Sequence, residues 1–207
     1  INDIDWSPFR QLLTRSGQLT GRPSLYFSYP VHFSDVIPIS DQEQLSTLAW
    51  ACRAALDHIL LYDFLLDSPQ EFNRIVLLTS YAFQSEYIRV LSKIYNPESS
   101  FWSHQQKYER LSLRAIINEK LRQRDPFKDT SFDSYYIEAT EKASFSKLVP
   151  IALAILHGNL DGSIVEILEK TTDLWNFAYQ INDDVTDWKK DYTEKNISFP
   201  IAMALSE

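Results

Sequence analysis

The run Y-Q-I-N-D-D-V-T-D-W-K-K-D places Asp183, Asp187 and Asp191 at i, i+4 and i+8. On a helix that spacing lines three carboxylates along one face. Like charges one turn apart destabilise a helix, so the row needs something to neutralise it. Lys189 and Lys190 stand beside it and could pair with it. A divalent cation is the other solution. Oxygen-only donors suit Mg²⁺, which keeps waters and bridges carboxylates to substrate phosphates. Asp184 points nearer the apolar stripe made by Leu174, Phe177, Ile181, Val185 and Trp188. A second acidic pair, Asp63 and Asp67, lies in L-Y-D-F-L-L-D-S, again one turn apart. It continues the series Cys52, Leu56, Ile59, so both carboxylates are expected on a buried face. They also sit at a helix C-terminus, where the macrodipole disfavours anions. Burying like charges together is costly unless a cation intervenes. The plainer solution is a Lys or Arg beside Asp63, with Asp67 ending the helix in solvent.

Other chemistries find little footing. His32, His58, His104 and His157 are scattered, with no Glu-x-x-His pair, H-E-x-x-H or G-x-S-x-G. His58 fits packing or capping better than ligation. The 4 glycines, Gly17, Gly21, Gly158 and Gly162, cannot form a phosphate-cradling loop. They are also too few for a fold rich in strands and turns. The single cysteine, Cys52, excludes an intramolecular disulfide and a cysteine-built zinc site, and fits a reducing, cytoplasmic compartment. A net charge of −8 argues against nucleic acid as a partner. The longest apolar run, Leu148 to Leu156, is too short to span a bilayer and contains Pro150, so no transmembrane segment is expected. No signal peptide is visible.

The acidic motifs need helices to hold them, and helices are what the pattern predicts. Hydrophobic residues make up 44% of the 207, enough for a sizeable core. Residues 4–14 read as a short helix, and the Gly- and Pro-bearing stretch up to residue 40 reads as an irregular lead-in. Ser40 and Glu43 form a capping box. The helix behind it carries Leu45, Leu48, Ala49, Cys52, Leu56 and Ile59 at a 3.6-residue period and ends near Ser68-Pro69. Further helices are expected over about 70–95, 100–122, from 131 past a kink at Pro150, and from 163 to 191. No alternating strand pattern is found. The expected fold class is all-α: one domain over residues 1–207, a bundle of long helices around a central cavity. Because the chain starts at Ile1, not Met, and stops just after the apolar segment 199–205, it is expected to be a portion of something longer.

Two aspartate motifs on two long helices resemble those of the class I isoprenoid synthases, the superfamily of trans-prenyltransferases and terpene cyclases. Y-Q-I-N-D-D-V-T-D resembles the second motif, including its aromatic-Gln-Ile lead. D-F-L-L-D resembles the first, D-D-x-x-D, with Phe64 in place of the second Asp. E-K-A-S-F-S-K-L-V-P-I-A resembles the segment that carries a diphosphate-binding lysine and a helix-kinking proline, which would be Lys142 and Pro150. The likeness covers roughly residues 45–205 and implies that the C-terminal helices following the family's second motif are missing here. It implies Mg²⁺ held by Asp63, Asp67, Asp183, Asp184, Asp187 and Asp191, with Lys142, Arg74 and Lys195 on the diphosphate. Catalysis would fall to Asp63, Asp67, Asp183 and Asp187. The implied activity is that of a class I terpene synthase or cyclase, which ionises a prenyl diphosphate. Two further readings accompany it. A chain-elongating prenyl diphosphate synthase would carry an Arg pair after the first motif, where only Arg74 stands. A non-catalytic helical subunit of such an enzyme would carry a broken first motif, as Phe64 suggests. A homodimer is compatible with each.

Overall fold

The computed structural model describes residues 25–67, 74–122, 131–158, 161–194 and 197–206. Among these, all regular structure is helical: α1 (Leu25–Ser34), α2 (Gln42–Asp67), α3 (Arg74–Leu91), α4 (Ser100–Arg122), α5 (Phe132–Lys142), a 3₁₀ turn (Ser144–Lys147), α6 (Leu148–His157), α7 (Gly162–Glu194) and α8 (Phe199–Ser206). The chain divides into two compact units, residues 1–96 and 97–207. No described helix is long and apolar enough to cross a membrane. The expected helix at 4–14 lies outside the described residues.

In the first unit α2 packs against both α1 and α3. Helix α1 occupies part of the stretch expected to be irregular, and it contains Pro30. An internal proline forfeits a backbone hydrogen bond and costs about 3 kcal/mol. Burial of Tyr29 and Pro30 offsets that cost. The cap of α2 is Asp41 rather than Ser40: its Oδ1 accepts from the backbone N–H of Glu43 and Gln44 at 2.9 and 3.1 Å. The buried face of α2 begins as expected with Leu45, Leu48 and Ala49 but continues through Ala51, Ala54, Ala55 and Leu61. Cys52 and Leu56 are only half-buried, and Ile59 is exposed. The small Ala51, Ala54 and Ala55 explain the rotation, since they let a neighbouring helix approach closely where the bulkier residues would not.

In the second unit α4 packs on α5, the 3₁₀ turn and α6, and α7 crosses α5, the 3₁₀ turn and α6 before meeting α8. The sequence suggested one helix kinked at Pro150. Instead the break falls earlier: α5 ends at Lys142 with Ala143 as its C-cap, and the 3₁₀ turn intervenes. Pro150 is the third residue of α6, within the first turn, where its missing N–H has no intrahelical partner to lose. Gly158 closes α6 at φ 75°, donating its N–H to the carbonyls of Ala154 and Ile155. Asp161 then caps α7, its Oδ1 accepting from the Ile164 N–H at 2.9 Å.

Candidate functional site

Helix α7 turns a polar face inward. Thr172, Asn176 and Asp184 are buried on it. Thr172 Oγ1 donates to the Leu168 carbonyl of the same helix at 2.8 Å, whereas Glu169, Asp173, Asn176 and Asp184 meet partners from other elements. Glu169 receives hydrogen bonds from Lys107 and Tyr108, at 2.5 and 2.8 Å. The Lys147 ammonium lies 2.6 Å from Asp173 Oδ1. Asn176 Nδ2 donates to Ser146 Oγ at 2.9 Å and to the Ala143 carbonyl at 3.2 Å. Ser144 Oγ donates to the Tyr108 carbonyl at 2.8 Å. Burial opposes the charge on Glu169, but the hydrogen bonds from Lys107 and Tyr108 outweigh it and hold the carboxyl below its usual range.

Toward its C-terminal half the same face carries the acidic row. Asp184 is buried, with both oxygens engaged: the Tyr135 hydroxyl donates to Oδ2 at 2.6 Å and the Gln180 amide to Oδ1 at 2.7 Å. Burial pushes its carboxyl up, and the Asp191 charge adds to that, while the hydrogen bonds from Tyr135 and Gln180 pull it down. Asp183 and Asp187 are exposed, one turn apart, and Asp191 is half-buried. Partial desolvation raises the Asp183 carboxyl above its usual range, and the charges of Asp187 and Asp184 raise it further. The cations opposing that rise are Lys142 and Lys190.

Lys142, the last residue of α5, therefore lies within electrostatic reach of the row. Its Nζ meets Glu119 on α4 at 2.9 Å. Its carbonyl accepts from Ser112 Oγ at 2.8 Å. Tyr135 is held by aromatic neighbours, stacking on Phe199 at 4.8 Å between centroids and meeting Phe177 edge-on at 5.5 Å. The hydroxyl that anchors Asp184 is thus fixed from behind.

The first motif is placed differently. Asp63 is half-buried on α2. Ile59, one turn earlier in the same series, is exposed. The face expected to be buried is therefore not the core face, and forced desolvation no longer argues for a cation there. Asp67 is the last residue of α2, but its side chain lies outside the described residues. Phe64 packs with Leu65 and Phe83 on the core pair Leu61 and Val76. Arg74 is exposed at the start of α3, and Lys195 lies outside the described residues. His58 is a packing residue, as its position suggested: its Nδ1 reaches the Ser80 carbonyl at 3.0 Å, while Ser80 Oγ donates to the His58 carbonyl at 3.2 Å.

Sequence reasoning missed Tyr135, Gln180 and Glu119. Gln180 was within reach, since it precedes Asp184 by four residues on one helix. Tyr135 and Glu119 come from other helices and leave no local signal. Among the described residues no three carboxylate, imidazole or thiolate groups converge as a complete metal site. The exposed pair Asp183 and Asp187 nonetheless offers hard oxygen donors of the kind that suit Mg²⁺. No protein-family model, curated protein or solved structure matches this chain.

Proposed function

We propose that this chain is a Mg²⁺-dependent class I terpene synthase or cyclase acting on a linear prenyl diphosphate. One observation carries the reading: Asp183 and Asp187 stand exposed one turn apart while Asp184 between them is locked inside by Tyr135 and Gln180. The lock fixes the rotation of α7 and so keeps the two carboxylates, adjacent by their one-turn spacing, turned to solvent. Mg²⁺ at such a pair would act as a Lewis acid on a diphosphate leaving group. Asp183 and Asp187 would hold the ion. Lys142 would place a positive charge beside the diphosphate oxygens, with Glu119 orienting its ammonium. Asp184 serves as an anchor in this scheme, and Asp191 adds negative charge that favours cation binding.

The test is diphosphate release from a panel of prenyl diphosphates, with and without Mg²⁺. Release that depends on Mg²⁺ and disappears in Asp183→Asn supports the reading. Absence of release from every chain length, or release unaffected by chelation, refutes it. One observation favours a second reading, a non-catalytic helical subunit of such an enzyme. Phe64 is packed against the Leu61–Val76 core, so the first motif gives this position to packing. That reading predicts no turnover alone and turnover restored by a catalytic partner.

A further inference from the structure

The Lys142 ammonium has two claimants. Glu119 of α4 holds it at 2.9 Å from each carboxylate oxygen. Its charge also acts on Asp183, opposing the rise in that carboxyl. Topology explains why one side chain reaches both. Helices α4 and α5 run antiparallel: Ser144, just beyond α5, donates to the Tyr108 carbonyl, Ser112 donates to the Lys142 carbonyl, and Arg114 pairs with Glu141. Helix α7 also runs antiparallel to α5, with Asn176 beside Ala143 and Asp184 beside Tyr135. Glu119 and Asp184 therefore both lie toward the N-terminal half of α5. Ser112 and Glu119 are two turns apart on α4, about 10 Å. Because Ser112 meets the Lys142 backbone and Glu119 meets its Nζ, the side chain is stretched along α4 toward the level of the acidic row. That is the direction in which helical side chains lean.

We propose that Glu119 is a positioning residue: by gripping the ammonium from α4, it keeps Lys142 from closing onto Asp183 and Asp187 and leaves that pair open to a divalent cation. A lysine drawn onto the row would relieve its like-charge repulsion from within the chain and repel an incoming cation. Glu119 prevents this with an attraction that needs no metal. The Glu119–Lys142 pair is half-buried and so less screened than the exposed carboxylates of the row. The inference rests on the metal reading of Asp183 and Asp187, and adds that their availability is set from another helix.

Titration of the whole chain with Mn²⁺ alone, followed by the paramagnetic resonance of the free ion and reversed by Mg²⁺, tests both parts. Wild type is expected to bind at a site that Asp183→Asn removes. Glu119→Gln, which keeps the size of the side chain and should keep the helical circular dichroism, is expected to weaken that site roughly tenfold, the scale of bringing one positive charge against the pair. Losing the Glu119 charge would by itself weaken cation binding, so the decisive comparison is between backgrounds. Lys142→Met alone should bind more tightly than wild type. In that background Glu119→Gln should change affinity by no more than about threefold, the effect of one screened charge. Absence of any site sensitive to Asp183→Asn overturns the metal reading and this inference with it. A site that Glu119→Gln leaves unchanged, or weakens equally in both backgrounds, overturns the inference alone. So does a Lys142→Met variant that binds no more tightly than wild type.

Discussion

Replacing Tyr135 by Phe removes one atom from the interior of the second unit and leaves the ring contacts with Phe199 and Phe177 in place. The loss is therefore confined to the 2.6 Å hydrogen bond to Asp184 Oδ2. A hydrogen bond to a charged group contributes about 1.5–3 kcal/mol, and an orphaned buried acceptor falls at the upper end of that range. Gln180 still serves Oδ1, which limits the damage, so a destabilisation of about 2 kcal/mol is expected. For a unit of this size that corresponds to a melting point lower by roughly 8 °C. The pH dependence carries a second signature. Burial already raises the Asp184 carboxyl, and the Tyr135 hydrogen bond counters the rise. In Tyr135→Phe the folded-state carboxyl should titrate higher still. The variant's deficit is then fully present well above that value and shrinks as pH falls through it, because a protonated carboxyl needs the hydroxyl less. Thermal melts of wild type and variant from pH 7.5 down to 4 read both effects. A deficit below about 0.5 kcal/mol at neutral pH, or one that grows on acidification, refutes the anchoring role.

Three further outcomes are expected. Asp183→Asn should stabilise the fold slightly, by about the few tenths of a kcal/mol of a relieved like-charge pair, and so raise the melting point, while abolishing diphosphate release; near-normal turnover or a lower melting point counts against the metal role. Lys147→Met should destabilise the second unit by about 3–5 kcal/mol, because it strands Asp173, and Lys147→Met with Asp173→Leu should recover most of the loss in urea titrations. Burial lowers the His58 pKa below its ordinary 6.5, so its neutral form belongs to the folded first unit. Stability there should fall as pH drops from 6.5 through the folded value, seen as faster hydrogen exchange in α2 and α3 at pH 5.5 than at 7.5 after correction for intrinsic rates.

The helices were legible because their signals are local. Proline punctuation and apolar periodicity located α2, α3, α4 and α7 to within a few residues. What failed was the rotation of helices about their own axes. The series Cys52, Leu56, Ile59 satisfies a helical period as well as Ala51, Ala54, Ala55 does, and hydrophobicity favours the wrong one. Alanine faces a neighbour because it is small, a preference that appears only when the neighbouring helix is known. The break at Ala143 was hidden for a related reason: Pro150 is a louder signal, yet its position in a first turn makes it harmless. At the candidate site the acidic row was readable from spacing, whereas its supports, Tyr135 and Glu119, come from helices distant in sequence.

Helix α7 shows how polar pairing can override an apolar stripe. A pattern containing Leu174, Val185 and Trp188 would ordinarily predict that this side faces the core. The helix instead presents Glu169, Asp173, Asn176 and Asp184 to the rest of its unit, and each finds a partner on a different element: α4, the 3₁₀ turn or α5. Rotating the helix to bury the stripe would break these contacts together and strand the Lys147 ammonium, whose side chain is almost wholly enclosed. Uncompensated burial of one such charge costs more than covering several methyl groups returns. Partners spread over four turns also fix the helix lengthwise, since a shift of one residue carries every acidic group away from its donor. The exposure of Asp183 and Asp187 on that face is therefore a consequence of polar contacts made up to five turns away.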